Sequence, residues 1–151
     1  MKNIFNKEVT DEVIHRINRL ENDTLPLWGK MTVAQMLAHC NVSYELVYED
    51  GFPKPGTFKK LLLTWFVKQA VVSEKPYKKN GPTAPEFIIK GTKDFYIEKQ
   101  RLINYIVKTQ ELGENYFEGK QSHSFGRLKA VEWNNMFYKH LDHHLTQFGI
   151  D

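Results

Sequence analysis

The sequence has 151 residues, of which 26% are charged and 41% apolar, with a formal net charge of +3. That length and composition fit one globular domain able to bury a real core. So small a charge, with no clustered basic patch, gives no case for nucleic acid, and the single cysteine, Cys40, excludes an internal disulfide framework and fits a reducing compartment.

The N-terminal stretch MKNIFNKEVTDEV lacks the apolar core of a secretory signal, and no run reaches transmembrane length. A cytoplasmic protein without a membrane or nucleic-acid partner is therefore expected. Asn6–Glu21 carries Val9, Val13, Ile14, Ile17 and Leu20 at helical spacing, which predicts a first helix. Leu25–Lys30 (LPLWGK) reads as a connecting turn with large apolar anchors. Thr32 then stands three residues before Gln35, a capping-box pattern that opens a second helix running to about Glu49. Val33, Met36, Leu37, Cys40, Tyr44 and Val47 form its stripe. Cys40 sits at the stripe centre, where a buried thiol is inert. His39 lies at the flank beside Ser43, and that edge position allows either a half-exposed imidazole or one aimed into a cleft.

Asp50–Gly56 (DGFPKPG) is a Gly/Pro loop. Thr57–Val72 follows, apolar nearly all round after Lys59 and Lys60. Such a helix wants cover on more than one side. Burial in the core ranks first, a homodimer contact second, and a membrane surface a distant third because the polar face is thin. Ser73–Lys93 is a long irregular connection, rich in proline and lysine, of the kind that serves as a cover or a solvated loop. Asp94–Glu111 predicts a third long helix stopped by Gly113. Glu114–Leu128 predicts a second loop, with His123 at the mouth of a site or on the surface.

Lys129–Phe148 predicts the last helix, and it holds the densest chemistry in the chain. His140 and His144 stand at i, i+4, about 40° apart around the helix. They share their sector with Trp133, Phe137 and Phe148, whereas Asn135, Lys139 and Asp142 point away. Two imidazoles on a face that should be buried either ligate a metal or need another partner each. His143 and Gln147 border that sector as polar wall groups. The zincin pattern H-E-x-x-H is absent, since Leu141 follows His140. Four long helices, a shorter one and two long connections give an all-α, up-down-type four-helix bundle.

MTVAQMLAHC, followed far downstream by SFGRL and HLDHHLTQFG, resembles the DinB-like superfamily of four-helix-bundle proteins. Its YfiT-like members include the bacillithiol transferases, and the ending is similar to a bacterial branch without an assigned activity. The resemblance covers most of the chain and implies a single DinB-like domain. It also implies a divalent metal held by one histidine of the second helix and two of the last, which here are His39, His140 and His144. Zinc is the first expectation for the ion, with nickel or iron as alternatives, since imidazole suits all three and ligand type does not decide the metal. Three imidazoles leave coordination positions open, as in catalytic zinc sites. The implied activity is transfer of a low-molecular-weight thiol to a small electrophile, with metal-dependent hydrolysis as the alternative. A non-catalytic helical binding or stress-associated protein is the reading from a different class.

Overall fold

The computed structural model describes residues 1–151, the side chain of Lys59 excepted. In chain order, α1 spans Lys7–Asn18, α2 Val33–Tyr48, α3 Thr57–Phe66 and α4 Lys68–Val72. A single 3-10 turn, Pro85–Phe87, precedes α5 (Phe95–Phe117). A minimal antiparallel hairpin, β1 (Gln121–Ser122) with β2 (Gly126–Arg127), leads into α6 (Ala130–Gln147). The mostly helical fold expected from the sequence is what forms, and this hairpin holds the only strands among the described residues.

The four long helices pack on one another, with α5 and α6 each touching both α1 and α2. Their apolar faces meet in one core, where Phe117, Trp133, Phe137 and Tyr44 are almost fully buried. The Tyr44 ring lies flat on Phe137, with centroids 4.8 Å apart. The start of α2 is fixed as the sequence predicts: the Gln35 amide donates to Thr32 Oγ1 at 3.2 Å, and the Thr32 amide donates to Gln35 Oε1 at 3.0 Å. Each bond satisfies a backbone N–H that the helix itself leaves unpaired.

Several expectations are corrected. Residues 33–44 of α2 are buried apart from Gln35, a band far wider than a stripe. The helix is covered by α5, by α6 and by the 3-10 turn, so its flank is interior and His39 is only 5% exposed. Gly113 does stop the regular helix, as expected: it takes φ 69° and ψ 175°, a non-helical conformation that glycine adopts without a Cβ clash, so α5 is two helices meeting at a kink, and what differs is the further helical turn that carries the chain to the buried Phe117. In the turn before α2, Leu25 and Leu27 are 80% and 70% exposed rather than anchored.

The face of α6 that periodicity assigns to solvent is also covered. Asn135 and Lys139 are buried because the end of α4 lies against them. Asn135 Nδ2 donates to the Val72 carbonyl at 3.0 Å. Lys139 Nζ donates to the Ala70 carbonyl at 2.9 Å and to that of Ser73. A lysine thus closes the carbonyl end of a short helix. The expected Thr57–Val72 helix breaks at Val67, and its first half is not buried. Phe58, Trp65 and Phe66 are each 73–75% exposed.

Thr32→Ala removes the oxygen that fixes the first turn of α2. The expected loss is about 1 kcal/mol of unfolding free energy with the fold retained, read from urea denaturation. An unchanged midpoint would show that packing alone sets the start of that helix.

Candidate metal centre

Helix α2 places His39 and Ser43 on one face, four residues apart, and α6 places His140 and His144 opposite them. The three rings gather: centroids lie 4.9 Å apart for His39 and His140, 4.5 Å for His39 and His144, and 4.7 Å for His140 and His144. One ring nitrogen from each falls within 4.8 Å of the other two, and the cluster is buried, although His140 as a whole keeps a partly exposed edge.

Each ring is held from behind by its Nδ1. His39 Nδ1 lies 2.8 Å from the Phe87 carbonyl oxygen, so this nitrogen carries the proton and donates. His144 Nδ1 lies 2.7 Å from Gln147 Oε1. The Gln147 amide is itself oriented, because its Nε2 donates to the Trp28 carbonyl at 2.7 Å. The oxygen is therefore the end that faces His144, and His144 also donates from Nδ1. His140 Nδ1 lies 2.8 Å from Ser43 Oγ, which can donate or accept. With all three Nδ1 atoms engaged, the Nε2 atoms remain for the centre. Those of His39 and His140 are 2.9 Å apart.

That geometry fits a metal. Donors around a tetrahedral zinc at about 2.0 Å stand about 3.3 Å from one another. The closest pair here needs a shift of only a few tenths of an ångström. Nδ1 bonds to a carbonyl, a hydroxyl and an amide are the kind of support that aims ligating imidazoles. The cluster also has a state that needs no metal, in which Ser43 donates to His140 Nδ1 and His140 donates from Nε2 to His39. In that state Nε2 of His144 is the one ring nitrogen of the cluster without a hydrogen-bond partner among the described residues.

Electrostatics favours neutral rings. Burial pushes the pKa of His39 below the usual histidine value. It pushes His140 well below it, helped by the two neighbouring imidazoles, and His144 down to about 3, helped by His39. The metal-capable group itself contains no carboxylate. Three neutral, desolvated imidazoles are the protonation state a metal requires.

Aromatic rings cover the cluster. Phe87 lies edge-on to His39 and His140, at 5.3 and 5.7 Å. Tyr77 lies edge-on to His140 and to His143, at 6.4 and 5.7 Å. Trp28 packs on His143 at 5.8 Å. His143 is thus a rim residue, half-buried between Trp28 and Tyr77 and outside the donor group. His123 lies in the hairpin before α6, where its Nδ1 meets Ser124 Oγ at 2.9 Å, and it takes no part in this cluster. Sequence reasoning missed Phe87 and Tyr77, which arrive from an irregular connection with no periodicity to read. Ser43 was legible as the residue one turn beyond His39. Gly29 was a further clue: it has φ +84°, and a Cβ there would fall 2.5 Å from Gln147 Nε2.

The chain belongs to the family described as a protein of unknown function, DUF1569, whose model matches residues 4–150. No curated protein and no solved structure matches it.

Histidines with lowered pKa values bind fewer protons folded than unfolded. Stability of the metal-free protein is therefore expected to fall as pH drops below about 6.5, the unfolded histidine value. The loss levels off once the folded rings protonate, near 3 for His144. Urea midpoints at pH 7.5 and 5.5 check this, and His144→Gln is expected to flatten the slope. A slope unchanged in that variant would place the sensitivity elsewhere.

Proposed function

We propose that His39, His140 and His144 hold one divalent metal ion, zinc ahead of nickel or iron, and that the chain is a single DinB-like domain using this centre for chemistry on small molecules. The observation that carries the reading is the donor set: three neutral imidazoles, each secured through Nδ1, converging in a buried space with no carboxylate among them. Such a set leaves the ion's double charge uncompensated and some of its coordination positions open, so it favours an anion as the next ligand. A metal in that state makes a thiol or a water acidic enough to act as a nucleophile near neutral pH.

A low-molecular-weight thiol is the preferred substrate. The sulfur forms a bond to an electrophilic carbon, the leaving group departs with its electron pair, and the thiol proton passes to the surroundings. His143 stands at the rim with its pKa lowered by burial, so a neutral ring is available there to take that proton. Trp28, Tyr77 and Phe87 supply apolar walls that restrict water and suit an uncharged electrophile. A reducing cytoplasmic setting would keep such a thiol available. Cys40 is no rival nucleophile, since burial pushes its thiol pKa up and its Sγ rests on Met36 Sδ. Hydrolysis at the same centre is the second reading, because water answers the same need for an anion.

Thiol and electrophile are followed together over zinc-loaded protein. Consumption of thiol with the electrophile is expected, and loss of electrophile without loss of thiol would assign hydrolysis instead. Gln147→Leu removes the acceptor behind His144 and is expected to weaken zinc binding about 10- to 100-fold while leaving a folded chain. Unchanged zinc affinity would count against this assignment of the ligands.

A further inference from the structure

Between α4 and α5 the chain crosses the histidine cluster with little regular structure, a single 3-10 turn at Pro85–Phe87. Among the described residues from 74 to 92 none is buried, and those partly covered are Tyr77, Glu86, Phe87 and Ile89. Two of these four are the rings that lie edge-on to the cluster, Tyr77 beside His140 and Phe87 beside His39 and His140. Much of what the segment turns inward is therefore set against the histidine centre. A segment with so few buried contacts can lift without disturbing the core.

Its two ends are fixed posts. Where it leaves α4, Lys139 Nζ holds the Ala70 and Ser73 carbonyls. Where it reaches α5, Gln35 Nε2 donates to the Gly91 carbonyl at 3.0 Å, and the Ile97 amide donates to Asp94 Oδ1 at 2.9 Å. Pro76, Pro82 and Pro85 fix φ at three places in between and stiffen the span. His39 and His144 are only 5% and 7% exposed, so a small molecule needs this cover displaced to reach their inner nitrogens.

The span also meets the cluster through a hydrogen bond, His39 Nδ1 donating to the Phe87 carbonyl at 2.8 Å. Ligation through Nε2 requires the ring proton on Nδ1, and the lowered span supplies the acceptor that keeps it there. Lifting the span removes that acceptor and frees the proton to sit on Nε2, where it blocks ligation. Lowered span and occupied centre thus favour one another, and linkage makes the effect reciprocal.

We propose that residues 74–90 are a lid on the histidine centre, latched by the Phe87 carbonyl on His39 and drawn down when the centre holds its metal. The proposal rests on the metal reading above and adds that occupancy and lid position are coupled.

Limited trypsin digestion of the full chain, with and without zinc, tests it. Lys78, Lys79 and Lys90 are exposed on the span, and cleavage there needs the chain to detach and extend into the protease. Zinc is expected to slow cleavage at these three lysines about tenfold. In a second measurement, zinc-loaded protein is mixed with excess chelator. Phe87→Ala is expected to release zinc about tenfold faster than the parent. Ile88→Ala, which changes an exposed neighbour with no ring on the cluster, is expected to release it at the parental rate. Far-ultraviolet circular dichroism of both variants separates a lid effect from misfolding. One equivalent of zinc bound with cleavage of the span unchanged would overturn the lid and leave the metal reading standing, as would equal release rates from the two variants. A chain that takes up no zinc would overturn both.

Discussion

Three Nδ1 hydrogen bonds decide what this molecule can be. An imidazole taken out of water loses its charge, and its N–H then needs an acceptor. The protein supplies partners from three directions: a backbone carbonyl at Phe87, a hydroxyl at Ser43 and a side-chain amide at Gln147. Each leaves Nε2 toward the shared space. Remove any of them and the ring can turn, and the convergence of donors goes with it.

Much of the surrounding architecture can be read as support for those bonds. The capping box starts α2 at a defined residue and so sets the phase at which His39 and Ser43 emerge. Gly29 lets the turn before α2 come close enough for the Trp28 carbonyl to hold Gln147. The connection after α4 brings Tyr77 and then Phe87 across the cluster. It is tied down where it leaves α4, because Lys139 bonds the carbonyls of Ala70 and Ser73 and its ammonium lies 4.5 Å from the Tyr77 ring centroid. Lys139 is the residue before His140, so one turn of α6 carries both a donor of the centre and the anchor of its cover.

The sequence made the local parts of this readable. The i, i+4 histidines, the Thr32–Gln35 cap and the period of the long helices are short-range patterns, and each stands where periodicity puts it. Tertiary cover was not readable. His39 looks like an edge residue until an irregular segment far along the chain closes over it. Lys139 looks solvated because its partners are carbonyls, which leave no trace in side-chain pattern. The Thr57–Val72 stretch looks like a core helix because hydrophobicity signals a need for cover without saying whether this chain supplies it. In each case the deciding contact joins segments that local periodicity cannot relate.

The most direct test of the metal centre is elemental analysis of untagged protein beside His39→Ala, His140→Ala and His144→Ala, each checked for folding. The account predicts close to one equivalent of zinc, nickel or iron in the parent chain and its loss in every variant. No bound metal in the parent, even after reconstitution, would contradict it and return the three histidines to a hydrogen-bonded core.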